Sequence, residues 1–303
     1  MTNKGFSISL NGYPVKTKNF RWYMSTYYSV NLNKVQTDDT RNYNLNDYLN
    51  GTAVVSGQPI STFYSYKFLG LNPQNGAPMF DDWEDRWHLL QGKTLDEVVP
   101  MILVNSGTRD PKFSGDLNNT FTYKNWSLSL NFSYSLGSKV RLFEMYGPIM
   151  NGISAAANVR EEFLDRWQVP GDEKYTVYPS IISPSSPDYE HYRLHYSAPQ
   201  RAVGPNSGVP AFANNVWQMY DDSDLRVVSG NYLKLQSLSF SYRLNDRLLR
   251  KTPFTQLSIS FNTHNCFTIS AKELRGQDPS QAGFADAGLS IRPSYTIGLN
   301  VSF

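Results

Sequence analysis

The sequence is poor in the features that give a protein away quickly. It holds one cysteine, Cys266, in 303 residues, which excludes an intrachain disulfide and a cysteine-based zinc site. Charge is scarce and balanced. Lys+Arg number 28 against 26 Asp+Glu, for a formal net charge of +2, and charged residues make up 18%, below the roughly 25% of an average soluble domain. Nucleic-acid binding needs a concentrated basic excess to displace counterions from phosphates, so that class is excluded. Long hydrophobic runs are missing too: the longest, Val98 to Val104, is interrupted by Pro100. It falls far short of the roughly 18–20 residues of a membrane helix. Transmembrane strands survive this test, because their alternation averages out of any hydropathy sum. The start, Met1 to Leu10, alternates and has no continuous apolar region, so it is not a signal peptide. It reads either as a cytoplasmic beginning or as the interior of a longer chain.

Aromatic residues are abundant at 14%, with Tyr 20, Phe 17 and Trp 6, and they fall into a period of two. Phe20, Trp22, Met24, Thr26, Tyr28, Val30 and Leu32 alternate with Arg21, Tyr23, Ser25, Tyr27, Ser29 and Asn31. Trp126, Leu128, Leu130, Phe132, Tyr134 and Leu136 alternate with Ser and Asn, as do Leu238, Phe240, Tyr242 and Leu244, and then Leu257, Ile259 and Phe261. The chain ends on Tyr295, Ile297, Leu299, Val301 and Phe303 with Thr296, Gly298, Asn300 and Ser302 between. Helical candidates are short, at 94–99 and 155–167. The pattern predicts about nine strands, at 5–10, 19–33, 51–56, 60–70, 113–123, 126–137, 229–244, 255–269 and 289–303.

Connections between these strands alternate short and long. Short ones lie at 11–18, 57–59, 124–125 and 245–254, and long ones at 34–50, 71–112, 138–228 and 270–288. A soluble sandwich has no need of this alternation, whereas an outer-membrane barrel has tight periplasmic turns at one end and extended extracellular loops at the other. With Phe303 on the periplasmic side, every short connection falls there. The polar face carries Ser, Asn, Thr and Tyr rather than the Lys and Glu of a sandwich in bulk water, which suits a wet lumen. The aromatic rings near strand ends suit interfacial girdles.

Several segments resemble the C-terminal part of the SusC/RagA family of TonB-dependent outer-membrane transporters. Gly57-Gln58-Pro59-Ile60-Ser61-Thr62-Phe63-Tyr64-Ser65-Tyr66-Lys67-Phe68 is similar to the family's G-x-P-x-x-x-F-Y-x-Y-K-F. Gly70-Leu71-Asn72-Pro73-Gln74-Asn75-Gly76 is similar to G-L-D-P-x-T-G, with Asn72 for the usual Asp. Asp110-Pro111-Lys112-Phe113-Ser114-Gly115-Asp116 resembles D-P-K-F-x-G-G, and Arg166-Trp167 with Pro170-Gly171-Asp172 resembles R-W-x-x-P-G-D. Asn231 to Leu238 resembles S-Y-L-R-L-R-N-L. Thr263 to Ile269 resembles G-Q-N-L-F-T-I, with Cys266 at an aliphatic position, and Arg292 to Phe303 resembles the closing strand.

The resemblance implies an all-β fold, an antiparallel up-and-down transmembrane β-barrel segment with short periplasmic turns and long extracellular loops. Residues 1–303 would form the C-terminal part of a barrel of about 22 strands, with plug domain and N-terminal strands absent. The chain would then be a truncated product or an incomplete gene model, unable to transport alone, with unpaired edges prone to aggregation. The resemblance further implies import of glycans or peptides, a SusD-like surface lipoprotein as lid, and energy from the TonB complex through the missing N-terminal part. The ending Tyr295, Ile297, Leu299, Val301 and Phe303 would face membrane lipid and form the signal read by the outer-membrane assembly machinery through edge pairing.

No catalytic, cofactor or metal site is expected, and the chain does not read as an enzyme. The cluster Asp81-Asp82-Trp83-Glu84-Asp85 lacks the fixed carboxylate separation of a glycosidase and the spacing of an EF-hand. His191 and His195 stand i,i+4, but Tyr192 occupies the position where a metalloprotease needs Glu. The loop aromatics Trp83, Trp87, Tyr178, Tyr189, Tyr192, Tyr196 and Trp217 suit either stacking on a ligand or packing of loop on loop. An alternative reading of the whole is a soluble or surface-bound β-sheet module that binds carbohydrate.

Overall fold

A computed structural model describes residues 1–36, 43–81, 83–90, 92–147, 159–181, 216–280 and 292–303. The chain forms two compact units. One comprises Thr2–Asn33, Asp110–Ser138 and Ser229–Phe303, and the other Lys34–Arg109 and Lys139–Val228. Strands are numbered β1 to β13 along the chain.

The first unit is a seven-stranded sheet of β1 (Thr2–Lys16), β2 (Phe20–Lys34), β7 (Phe113–Tyr123), β8 (Trp126–Leu136), β11 (Tyr232–Arg243), β12 (Gln256–Ser270) and β13 (Ser294–Ser302), in that spatial order. Within this sheet each strand pairs with the next one along the chain, and every pair from β2–β7 to β12–β13 is antiparallel. Register collects the apolar residues on one face. Trp22, Phe121, Leu128, Phe240, Ile259 and Leu299 belong to that face, carried from strand to strand by the pairs Trp22↔Phe121, Phe121↔Leu128, Phe240↔Leu128, Tyr242↔Ile259 and Ile259↔Leu299. The opposite face carries Ser25, Asn118, Asn131, Ser237 and His264, joined through Ser25↔Asn118, Asn118↔Asn131, Ser237↔Asn131 and Ser237↔His264. Aromatic rings gather toward the short-turn end: Trp22 stacks on Phe121 with centroids 5.7 Å apart, and Trp126 stacks on Phe240 at 5.3 Å. Tyr28 and Phe113 stack at 6.2 Å toward the other end.

The bulge in β11 keeps this segregation intact; a second irregularity, at Asn265–Cys266 of β12, leaves Phe267 opposite Leu235 and His264 opposite Ser237. In β11 the apolar residues shift from odd (Leu233, Leu235) to even (Leu238, Phe240, Tyr242), which alone would split them between faces. A bulge at Gln236 absorbs the extra residue, so that Leu235 pairs with Phe132 and Leu238 with Leu130. Polar residues on the apolar face are satisfied within the sheet. Asn119 accepts from the Trp22 indole at 3.0 Å, Thr26 donates to the Asp116 carbonyl at 2.9 Å, and Thr263 meets Cys266 Sγ at 3.2 Å. On the polar face Thr120 bonds Ser129 at 3.1 Å and Ser239 bonds Asn262 at 2.7 Å. Gly115 lies where the Tyr134 side chain crosses from β8 toward the Tyr27 carbonyl, and a Cβ there would collide with both.

Among the described residues seven strands, not nine, build the sheet. Residues 51–56 are turn and bend, bracketed by Gly51 at φ +69° and Gly57 at φ +81°. Within 60–70 only β3 (Thr62–Tyr66) is a regular strand of more than two residues; all five of its residues are buried, so it cannot serve a wall with one wet face. The turn at 57–59 therefore does not join two wall strands. Because two strands drop out together, the alternation survives. Sheet connections at 17–19, 124–125 and 244–255 are short, while those at 35–112, 137–231 and 271–293 are long. The helical candidate at 94–99 corresponds to the helix α2 (Leu95–Ile102). In 155–167 only a 3-10 turn at Glu161–Asp165 is formed, and 151–158 lie outside the described residues.

Deleting Gln236 should turn Leu233 and Leu235 onto the polar face. In the full-length receptor the expected outcome is loss of the folded, heat-modifiable species in detergent gels, whereas Gln236→Ser, which keeps the bulge, should retain it.

Candidate functional site

The second unit is assembled from the long connections of the sheet. Its core joins Tyr48 and Leu49 of α1 (Leu45–Leu49), Val98 and Val99 of α2, and Tyr64 and Tyr66 of β3 to Trp217, Met219 and Tyr220 from the 216–221 helical turn. β3 pairs antiparallel with β6 (Leu103–Thr108). Two-residue strands β4 (Gly70–Leu71) and β5 (Pro78–Met79) pair with each other, as do β9 (Lys139–Arg141) and β10 (Val227–Ser229).

Charged residues of 221–226 tie this unit together. Asp221, 3% exposed, accepts backbone N–H groups of Met145, Tyr146 and Gly147, each at 2.8 Å. Asp224 accepts from Phe68 N at 3.0 Å and pairs with Lys67 at 2.7 Å. Arg226 donates to the Phe143 carbonyl at 2.6 Å. Arg141 lies 3.6 Å from Asp222 and donates to the Tyr64 carbonyl at 2.8 Å. Removing the partner of a buried charge costs about 3–5 kcal/mol, so the contacts of the buried Asp221 and Arg226 fix their segments firmly, while the Lys67–Asp224 pair, with Lys67 59% exposed, adds little.

Two of the motifs, Gly70–Gly76 and Arg166–Asp172, meet in this unit. Gly76, at φ +70°, ends the Gly70–Gly76 turn, and a Cβ there would run into the Trp167 indole. Ser180 locks the same corner, its N–H donating to Gly76 O at 2.9 Å and its hydroxyl to Asn75 O at 2.6 Å. Asp172 folds the Pro170-Gly171-Asp172 turn by accepting from Gln168 N and Val169 N, which holds its carboxyl below the usual range.

Among the loop aromatics expected to stack on ligand or on each other, Trp83 and Trp217 are buried and Tyr178 packs partly against the core. They serve loop-on-loop packing. The Trp87 side chain and residues Tyr189, Tyr192 and Tyr196 lie outside the described residues, as do His191 and His195. In the acidic cluster, Asp81 is held by Arg86, which itself lies over the Trp83 ring at 4.2 Å. In the closing strand Tyr295, Ile297, Leu299 and Val301 share the apolar face at the sheet edge. Ile297 is 80% exposed, and Phe303 meets the Phe254 ring at 5.3 Å.

One concave site in this unit was not foreseen. A cleft of about 480 Å³ opens between α1, β3 and α2, with Tyr43, Tyr48, Tyr64, Asp96, Glu97 and Pro100 among its lining. Tyr48 and Tyr64 form a buried floor, and Asp96 and Glu97 stand exposed. Tyr48 meets Tyr43 edge-on at 6.2 Å and Tyr64 at 6.0 Å, while its hydroxyl donates to Asp96. Glu97 closes a capping box on Thr94 N at 2.8 Å. The capping sequence Thr94-Leu95-Asp96-Glu97 was legible; that it faces tyrosines some fifty positions earlier was not.

Burial pushes the Asp222 carboxyl up to about 6, with Arg141 opposing and Asp221 and Glu144 adding to the rise. A carboxyl raised in the folded state contributes least to stability once it must ionise. Between its ordinary value of 3.8 and about 6, stability of the unit should fall as pH rises, and level off above. Limited proteolysis across pH 4–7 should follow this fall, and Asp222→Asn should flatten it.

A search against protein-family models found no match. Curated relatives nevertheless align over the whole chain. TonB-dependent receptor P3 of Formosa agariphila is 23% identical over 332 aligned positions, covering 100% of this chain and 29% of the relative. TonB-dependent receptor P39 of the same organism is 21% identical, covering 99% and 30%. The chain thus spans about three tenths of the length of these relatives. Among solved structures, that of the RagAB peptide transporter aligns with a TM-score of 0.64 at 17% identity, over 99% of this chain and 29% of that one. The RagAB peptide importer in its "closed-closed" state gives 0.62 at 16%. With an up-and-down sheet split into an apolar and a Ser/Asn/Thr face, the chain is similar from end to end to part of these TonB-dependent receptors and shares its fold with part of the RagAB peptide transporter.

Proposed function

We propose that residues 1–303 supply seven wall strands and the extracellular loop unit of a transporter that imports peptides or glycans. The observation that carries this reading is the continuous apolar face, on which polar side chains such as Asn119 and Thr26 find partners inside the sheet. Hydrocarbon demands that satisfaction, since no water is present to supply it. Strands β7 and β8, of 11 residues each, have the length of a tilted membrane-spanning strand, about 9–11 residues.

The short connections lie on the periplasmic side and the loop unit outside, where a SusD-like lipoprotein caps it. Substrate is held between lid and loops and released inward when TonB supplies energy. Peptide cargo has the added support that the solved neighbours are described as a peptide transporter and importer. A soluble carbohydrate-binding module fits less well. It would leave Ile259, Ile269, Ile297 and Leu299 in water, each more than half exposed, on a patch that soluble monomers rarely tolerate.

Cysteine labelling of intact cells expressing the full-length receptor tests the arrangement. A cysteine at Tyr175, 90% exposed in the loop unit, should react with a membrane-impermeant maleimide, and one at Lys124 only after the outer membrane is opened. The reverse pattern would overturn the proposed sidedness.

The closing strand is the assembly signal in this reading. Phe303→Ala should lower the amount of full-length receptor in the outer membrane several-fold without changing its synthesis; unaltered insertion would remove the role.

A further inference from the structure

The tyrosine–carboxylate cleft has a floor, a rim and an unmet charge. Its volume, about 480 Å³, lies within the roughly 300–1,000 Å³ of ordinary ligand sites. The floor is the rings of Tyr48 and Tyr64, with Tyr43 set edge-on beside them. At the rim Asp96 and Glu97 are adjacent carboxylates, and no described cation forms an ion pair with either. Lys93 acts on Glu97 only through space. Their bonds are local and fix them in place: Asp96 takes the Tyr48 hydroxyl, and Glu97 takes Thr94 N and Oγ1 through one oxygen. Each carboxylate therefore keeps an oxygen free to accept from a ligand.

Electron-rich ring faces attract a cation within about 6 Å, and two oriented carboxylates match the fork of a guanidinium or the three donors of an ammonium. A neutral sugar uses the rings but leaves two negative charges uncompensated, and an acidic glycan is repelled.

We infer that this cleft is a subsite for the basic side chain of a lysine or arginine in a peptide. The inference rests on the uptake reading above and narrows its cargo to peptides carrying positive charge. Aromatic floor and acidic rim act together, the rings selecting a flat or extended cationic stem and the carboxylates orienting its donors.

The test uses the full chain refolded in detergent and measures binding of short peptides calorimetrically. The probes are Gly-Lys-Gly, Gly-Arg-Gly, Gly-Lys-Gly acetylated on the lysine Nε, and a neutral oligosaccharide. Because all three peptides share a free amino terminus, each is N-acetylated so that the side chain alone differs. Acetylating the lysine side chain should weaken binding about tenfold, equivalent to about 1.4 kcal/mol. Asp96→Asn with Glu97→Gln should weaken the basic peptides to a similar degree, and added salt should do the same in part. These substitutions preserve an acceptor for Tyr48 and the capping box on Thr94, so the fold is retained; Tyr43→Ala provides an independent loss through the ring. Equal binding of the acetylated and free lysine peptides, or unchanged affinity in the Asn/Gln variant, overturns the inference. So does tighter binding of the oligosaccharide at the cleft. Binding by the purified chain does not depend on sidedness or insertion, so failure here is distinct from failure of the labelling experiment above.

Discussion

Register parity governs the sheet. Side chains alternate between faces along a strand, so a slip of one residue would carry a whole row of Leu, Ile and Phe to the wrong side. Between hydrocarbon and a wet interior neither face is forgiving. Apolar groups lose their burial on one side, and polar groups lose their partners on the other. The consequence is visible wherever the sequence departs from strict alternation. The odd-to-even shift within β11 is matched by the bulge at Gln236. Asn119 on the apolar face borrows the Trp22 N–H, and Thr26 returns its hydroxyl to a backbone carbonyl. Each exception is answered locally, by a partner inside the sheet.

The long connections face a different constraint. A segment as long as 35–112 is too long to stay irregular in a compact protein, and its backbone groups need partners away from the sheet ladder. It acquires them by condensing with 139–228 around a core of its own. The organising element there is ionic rather than apolar. Asp221 gathers three consecutive N–H groups of 145–147, Asp224 holds Phe68 N, and Arg141 holds the carbonyls of Leu49 and Tyr64. Burying these charges is costly, and the arrangement compensates by giving α1, β3, the residues after it and 143–147 directional contacts that apolar packing cannot provide.

How far the sequence disclosed all this depends on the range of the interaction. Alternation is local, so the wall strands at 19–33, 113–123 and 126–137 were legible nearly to the residue. The error at 51–56 and 60–70 has the same origin. Phe63-Tyr64-Ser65-Tyr66 is rich in strand-forming residues, and propensity does not report whether a strand is buried on both faces. The motifs drew attention to Gly76, Trp167 and Asp172, yet nothing in their spacing says that Trp167 rests on Gly76, ninety-one positions away along the chain. The cleft was hidden for the same reason, because its tyrosines precede its carboxylates by some thirty to fifty positions and meet only after α1 packs beside α2.

The two sheet edges bring these lines together. β1 and β13, strands of 15 and 9 residues, stand at the two ends of the strand order and have one neighbour each among the described residues. In water an exposed edge invites aggregation, and in hydrocarbon every open N–H and C=O costs several kcal/mol. An outer-membrane sheet therefore has to close on itself, and seven strands are one short of the smallest barrels, which have about eight. The sequence likeness to TonB-dependent receptor P3 covers 29% of that relative. The loop unit of this chain has a core and a charge network of its own. The sheet has settled register and faces, while its two outermost strands each keep one open ladder among the described residues.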